Sequence, residues 1–156
     1  MFITTLRINT LKLIGITALS VLVVAALVIF VPTYESTSAS NGISYEKVYS
    51  NSDRVEFLSG FGWEVAQTPI EEVEVSIPAE FDTVYIGYNE IQKAQGLNLA
   101  KYKGKEVVRY TYEIKNYEGY EGTVYVNLLV YRNKIVGGDV CSADSSGFIH
   151  GFSKSA

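Results

Sequence analysis

Two side chains near the C-terminus could form a nucleophilic pair. Cys141 and His150 are the only cysteine and the only histidine in the 156 residues, and Asp139 or Asp144 could orient the imidazole. Cysteine hydrolases use a thiolate activated by an oriented imidazole. However, a cysteine that ends an apolar strand is more often a small buried residue, and a single histidine near a C-terminus is more often exposed. A small extracytoplasmic hydrolase using Cys141 and His150 is therefore the alternative hypothesis for this chain.

A second group of residues is suited to binding rather than catalysis. In two predicted strands, strict alternation places Tyr125 and Tyr131 on one sheet face with Arg109, Thr111 and Asn127. Tyrosine is large, rigid and amphipathic, so tyrosines beside hydrogen-bonding groups suit a glycan- or peptide-binding face. Because tyrosine is also simply a good strand residue, a plain sheet surface is the competing interpretation.

A basic cluster is formed by Lys101, Lys103 and Lys105. These lysines could meet an anionic wall polymer or lipid headgroups. The competing interpretation is that they are exposed charges that protect an edge strand from aggregation.

Metal and nucleic-acid chemistry are not indicated. Six carboxylates lie between residues 64 and 82 and could offer oxygen ligands, but the chain has no calcium loop with alternating aspartates. One histidine and one cysteine do not make a zinc cluster, and no glycine-rich phosphate loop follows a strand. The net charge of −4 disfavours a nucleic-acid partner, which would require a basic face. We expect no metal, no cofactor and no bound nucleic acid.

The strongest feature for placement in the cell is the uncharged, mostly aliphatic stretch at residues 13–31. As a helix it would measure about 28 Å, close to the hydrocarbon thickness of a bilayer. Arg7 and Lys12 precede it, so the positive-inside rule places residues 1–12 in the cytoplasm. We therefore expect a single-pass cell-membrane protein with its C-terminal domain outside. A cleaved signal peptide is the alternative.

The rest of the chain divides into a spacer and one domain. Residues 32–44 are rich in Ser, Thr, Gly and Asn, a composition typical of a flexible linker. Residues 45–156 are enough for one compact core. Their patterns predict an α+β fold in which two helices pack on the apolar face of a mainly antiparallel sheet of about five strands.

The two helices are predicted from caps and spacing. Ser52-Asp53 could cap a short helix through Ser59, which Gly60 and Gly62 would end. Apolar residues at helical spacing predict a second helix over residues 80–95, with Gly96 at its C-cap and a strand over residues 83–88 as the alternative.

The strands are predicted from alternation between apolar and polar residues. Residues 63–67 and 72–77 are expected to form a hairpin around Thr68-Pro69. Three more strands are predicted over residues 105–115, 123–132 and 135–141. Gly137-Gly138 lies inside the last of these, where glycines indicate a bulge or close packing.

Several short motifs are spread along the predicted domain. They include Gly62-Trp63-Glu64-Val65, Ile77-Pro78, Tyr88-Asn89, Gln92-Lys93, Tyr102-Lys103-Gly104-Lys105 and Gly137-Gly138-Asp139. Together they resemble domain-of-unknown-function family number 4830. The resemblance covers about residues 53 to 152. It implies a small protein of Gram-positive bacteria with one N-terminal membrane segment, and it transfers no catalytic residue.

The leading hypothesis is therefore a membrane-tethered, non-catalytic binding module outside the cell. Its partners would be the lipid bilayer, through residues 13–31, and an envelope protein or wall polymer.

Overall fold

The computed structural model describes residues 43–144 and 146–154. The predicted membrane segment at residues 13–31 and most of the predicted spacer lie outside this part of the chain. Within the described residues, no helix combines the length and apolar character needed to cross a bilayer. The elements there are α1 (Asn51–Gly60), β1 (Glu71–Ser76), α2 (Thr83–Ala94), a 3-10 turn (Leu99–Tyr102), β2 (Glu106–Ile114), β3 (Val124–Tyr131), β4 (Lys134–Ser142) and β5 (Ile149–His150).

The five strands form one sheet in the order β1-β2-β3-β4-β5, and each neighbouring pair is antiparallel. The predicted α+β fold with an antiparallel sheet is confirmed. The predicted strand at residues 63–67 is wrong, because that segment makes only an isolated bridge between Val65 and Ile114. The expected hairpin is therefore absent from the described residues, and β1 pairs with β2. The fifth strand is β5, which the sequence pattern did not predict.

The helices lie on opposite faces of the sheet, and not on one face as predicted. The face carrying Tyr112, Val126 and Leu128 packs against Phe57 and Leu58 of α1 and is called the α1 face. The other face, called the α2 face, packs the buried residues Val107, Leu129 and Val136 against Ile77 and Leu99, with Tyr85 and Tyr88 of α2 beside them. Both faces are therefore apolar at least in part, because each has its own helix to contact.

The start of α1 is fixed by a capping box. The Ser50 hydroxyl accepts from the Asp53 backbone N–H at 3.2 Å, and the Asp53 carboxylate accepts from the Ser50 N–H at 2.8 Å. The hydrogen bonds that the Asp53 carboxylate accepts from Ser50, and then from the Tyr49 N–H, lower its pKa. The N-cap is thus Ser50, two residues before the predicted Ser52, and Asp53 occupies the reciprocal position.

The second helix begins and ends close to its predicted bounds. Asp82 caps it by accepting from the Tyr85 N–H at 2.7 Å, and Gly96 follows it with a φ of 78°, a left-handed conformation that glycine adopts readily. The strand alternative for this segment is excluded. Tyr88 and Gln92 face the sheet, whereas Val84, counted in the predicted apolar stripe, is 79% exposed.

Gln92 of α2 and Gln95, the C-cap residue of α2, complete the hydrogen bonding of β4 at Gly138, beyond the two residues that β5 pairs with. The Gln92 Oε1 atom accepts from the Gly138 N–H at 2.8 Å, and the Gln95 Nε2 atom donates to the Gly138 carbonyl at 3.1 Å. The β3–β4 ladder shifts register between Leu129 and Val130, and a Cβ atom at Gly138 would lie 2.4 Å from the Phe152 ring. The prediction of a bulge or close packing at the glycine pair is therefore confirmed, because the structure shows both features there.

Candidate binding surface

A row of four polar residues crosses the α2 face of the sheet. Glu71, Thr111, Asn127 and Asp139 lie directly opposite one another on β1, β2, β3 and β4. The Thr111 hydroxyl donates to Asn127 Oδ1 at 2.8 Å, and Asn127 Nδ2 donates to Asp139 Oδ2 at 3.0 Å. The register of three strand pairs therefore places the four residues in one row, and hydrogen bonds join three of them, Thr111, Asn127 and Asp139.

The neighbouring positions on the same face extend this line into a surface. Tyr125 pairs with Cys141 across β3 and β4, one step beyond the polar row, and Arg109 lies one step before it on β2. We define the polar patch as Glu71, Arg109, Thr111, Tyr125, Asn127, Asp139 and Cys141. Within it Arg109, Tyr125, Asn127 and Cys141 are partly exposed, while Thr111 and Asp139 are buried beneath them.

Asp139 anchors the polar patch from below. Its side chain is only 4% exposed, and its two oxygens accept hydrogen bonds from Asn127 and from the Tyr88 hydroxyl, the latter at 2.7 Å. Burial, and then the negative charge of Asp139, raise the pKa of Tyr88 well above its usual value, so the phenol keeps the proton that it donates. Helix α2 thus holds the carboxylate, and the carboxylate holds Asn127 in one orientation.

Arg109 forms the charged side of the patch. Its Nη2 atom lies 2.7 Å from Glu71 Oε2, and both side chains remain partly exposed. Its Nε atom is buried and has no hydrogen-bond partner among residues 43–144 and 146–154. A guanidinium offers a planar set of donors, so Arg109 can bind an acceptor group of a ligand that lies on the patch.

The predicted pair of Cys141 and His150 is not formed. Cys141 lies on the α2 face, where its sulfur is 3.6 Å from Asn127 Nδ2. His150 pairs with Val140, so its ring points to the α1 face, where its Nε2 atom is 3.0 Å from the Tyr117 hydroxyl. The candidate orienting residue Asp144 accepts instead from the Tyr120 hydroxyl. The sheet itself separates the thiol from the imidazole.

The environment of Cys141 also disfavours a thiolate. Burial, followed by the charge of Asp139, raises its pKa from the usual 9.0 to about 11. A neutral thiol is a weak nucleophile and a poor metal ligand. Within the described residues, no three or more Cys, His, Asp or Glu side chains are grouped to hold a metal ion.

Tyr131 does not join the polar patch, although it lies on the same strand and face as Tyr125 and Asn127. It is at the far end of β3, where its ring packs against Tyr102 with 5.6 Å between centroids. Of the five residues predicted to form a binding face, the structure brings together Arg109, Thr111, Tyr125 and Asn127.

Of the predicted lysine cluster, Lys101 lies in the 3-10 turn, and Lys103 and Lys105 lie on the connection from that turn to β2. Lys101, Lys103 and Lys105 are all exposed, and Lys103 Nζ is 4.6 Å from the centroid of the Phe81 ring. Because β2 lies between β1 and β3, these lysines do not guard an edge strand. The surface that they form is separate from the polar patch.

Comparison with known protein families identifies the family of this chain. A family model described as Domain of unknown function (DUF4830) matches residues 57–140. The chain belongs to this family. The matched stretch of this DUF4830 protein runs from α1 into β4 and contains every residue of the polar patch except Cys141. No curated protein and no solved structure matches the chain.

Proposed function

We propose that this DUF4830 protein is a single-pass membrane protein that carries a non-catalytic binding module outside the cell. In this proposal residues 13–31 cross the bilayer, residues 1–12 stay in the cytoplasm and residues 32–44 act as the spacer. The support is the uncharged stretch of 19 residues that follows Arg7 and Lys12. The module, residues 45–156, faces the envelope of a Gram-positive bacterium.

The polar patch is the contact surface of the module, and its hydrogen-bonded row is the observation that carries the proposal. Asn127 is held by Thr111 on one side and Asp139 on the other, so its position is set before any ligand arrives. A preorganised surface loses less conformational entropy on binding. Tyr125 adds an aromatic ring and Arg109 adds donors at the same surface. This combination suits a ligand rich in hydroxyl or amide groups, such as a wall glycan or an extended part of an envelope protein.

Binding to insoluble cell wall tests the contact surface. Full-length protein in detergent is sedimented with purified Gram-positive wall, and the retained fraction is compared with that of Tyr125→Ala and Arg109→Gln. These side chains are partly exposed, so replacing them leaves the buried row intact. We expect each variant to bind about tenfold more weakly, the usual effect of losing an important interface residue.

Two controls distinguish binding at the polar patch from binding at another surface of the module. Glu56→Ala changes an exposed residue on α1, on the far side of the sheet, and should bind as the native protein does. Lys103→Ala reports on the lysine cluster; a loss with this variant alone would assign binding to that cluster. Equal retention of all variants would contradict the role of the patch. Catalytic turnover that Cys141→Ser or His150→Ala abolishes would contradict the non-catalytic assignment.

A fractionation experiment tests the placement in the membrane. We expect the full-length chain in the membrane pellet after alkaline carbonate washing, with its C-terminal domain digested by protease added to intact spheroplasts. Full-length, untruncated protein in the soluble fraction would contradict the anchor.

A further inference from the structure

The two edges of the sheet differ in how they are protected against pairing. The edge strand β1 carries Glu71, Glu72 and Glu74, and charges of this kind discourage the addition of another strand. The edge strand β5 lies within residues 146–153, a segment without a single Asp, Glu, Lys or Arg. At that edge the shortness of β5, rather than acidic or basic side chains on the strand, limits pairing.

At the β5 edge, Ile149 has a backbone donor and a backbone acceptor that bond to none of the residues that the structure describes. Ile149 lies opposite Cys141, and the next residue on β4, Ser142, donates its N–H to the Phe148 carbonyl at 3.2 Å. In an antiparallel ladder, hydrogen-bonded pairs alternate with pairs whose backbone groups point away. The N–H and C=O of Ile149 therefore point outward, away from β4.

On each side of Ile149, one backbone group is already engaged. The Gly147 N–H donates to the Asp144 carbonyl at 3.1 Å, and the Gly151 carbonyl lies 2.6 Å from His150 Nδ1. A foreign peptide that adds as a strand normally uses a longer run of backbone groups than this edge offers. A second copy that meets the first about a twofold axis needs only the two groups of Ile149 from each chain.

The side chains around this edge are also suited to a second copy. The Ile149 side chain is 50% exposed, and it borders a groove of about 350 Å³ between β5 and α2 that Ile91 and Ala94 also line. In an antiparallel pair, opposite side chains lie on the same face of the sheet. The Ile149 of a second copy would therefore reach the groove that lies beside the Ile149 of the first.

We propose that this surface, β5 with the adjoining groove, is a self-association site: two copies pair β5 with β5, antiparallel, about a twofold axis at Ile149. Each Ile149 donates its N–H to the other and accepts from the other through its C=O, which is the reciprocal contact that twofold symmetry requires. The interface consists of two hydrogen bonds in total and one isoleucine side chain from each chain. Because this interface is small, the dimer is weak and its subunits exchange rapidly.

Cysteine cross-linking tests the proposed contact directly. The full-length chain in detergent, carrying Cys141→Ser so that no other thiol is present, receives Ile149→Cys and a bismaleimide cross-linker that spans about 8 Å, compatible with opposite side chains in a strand pair. The matched control is Ile70→Cys in the same background. Ile70 is 54% exposed and immediately precedes β1 at the other edge of the sheet. We expect at least about fivefold more cross-linked dimer from position 149; equal yields would overturn the proposal.

A second measurement does not depend on the cross-linker. The dissociation constant of the full-length chain is measured by sedimentation equilibrium for Ile149→Lys and Ile70→Lys, with circular dichroism to verify folding. A lysine at position 149 would place two like charges at the twofold axis, so we expect dimerisation to weaken by at least about tenfold in this variant alone. Ile149→Thr, which keeps the branched shape, provides the comparison if the lysine variant unfolds. Unchanged association of the position 149 variants would overturn the proposal.

Discussion

The Cys141 thiol should resist ionisation up to strongly alkaline pH. Its pKa is raised from 9.0 to about 11, first by burial and second by the negative charge of Asp139, while Asn127 and Arg109 oppose the rise only in part. Both leading causes disfavour the thiolate, so reactivity of the thiol with an alkylating reagent measures them directly. The perturbation that separates the two is Asp139→Asn, which removes the charge and leaves the burial.

The expected magnitude follows from the shift in pKa. At about pH 8, roughly 0.1% of a thiol with a pKa near 11 is ionised, compared with roughly 9% of a thiol with a pKa near 9. A more basic thiolate is more nucleophilic, and a Brønsted slope of about 0.4–0.5 over a shift of about two units returns close to tenfold. We therefore expect folded Cys141 to be alkylated about tenfold more slowly than the same residue in the unfolded chain.

The assay is iodoacetamide labelling of the native chain, followed by intact mass, from about pH 7 to pH 10. The chain has one cysteine, so a single mass increase reports on Cys141 alone. The labelling rate of the folded protein should keep rising about tenfold per pH unit over the whole range, whereas the urea-unfolded chain should level off near pH 9. Asp139→Asn should react faster than the native protein and more slowly than the unfolded chain, because burial persists.

A folded protein whose labelling rate levels off between pH 8 and 9, at the rate of the unfolded chain, would refute this reasoning. It would mean that the thiol is neither desolvated nor influenced by Asp139. It would also restore Cys141 as a candidate nucleophile, because an accessible thiolate near neutral pH is what such chemistry requires.

Four further predictions concern stability. Tyr88 and Cys141 hold their protons more tightly in the folded state than in the unfolded state, because their pKa values are raised by folding. Urea titrations should therefore show the free energy of unfolding falling as pH rises above about 9. The Tyr88→Phe variant should lose less unfolding free energy over this interval than the native chain, because it lacks one of the two groups. At about pH 8, Tyr88→Phe should be less stable by about 1–3 kcal/mol, since it removes a hydrogen bond from a buried carboxylate. Thermal melts should show Gly138→Ala destabilised by about 1–3 kcal/mol or more, because the new Cβ atom would lie 2.2 Å from a carbonyl oxygen of β3. Gly87→Ala should instead be stabilised by about 0.5–1 kcal/mol, because Gly87 is an exposed position of α2 and the new Cβ atom would meet nothing within 4 Å. Ser50→Ala should cost about 1 kcal/mol in the same melts through loss of the α1 cap, and an unchanged midpoint would contradict that role.

The elements that the sequence predicted correctly are those specified by local signals. Asp82 and Gly96 bound α2, and strict alternation marks β2 and β3. The segment at residues 63–67 shows why such signals can mislead. Trp63 is 3% exposed because its ring stacks on Tyr117 at 5.5 Å and its Nε1 donates to the Phe152 carbonyl. The apolar character that suggested a strand serves contacts between distant side chains, and only an isolated bridge forms.

The binding face was predicted on β2 and β3 but not on β4, and the reason is one extra residue. Ile135 pairs with Val130 on the α1 face, so strict alternation from there would direct Asp139 and Cys141 into the α1 core. The register shift leaves Val136 unpaired opposite Leu129 and Val130, and from Gly137 onward the odd-numbered residues lie on the α2 face.

The glycine pair makes this shift possible and thereby completes the polar patch. At Gly137 a Cβ atom would lie 2.9 Å from Leu99, and Gly138 leaves room for Phe152, so neither position accepts a larger side chain without displacement. Asp139, the residue after the glycine pair, therefore lies under Tyr88 and beside Asn127. Alternation rules treat each strand separately, whereas the position of Asp139 depends on a bulge stabilised by contacts with other elements. The polar patch is therefore a property of the assembled sheet, and sequence periodicity places its most buried member, Asp139, on the wrong face together with Cys141.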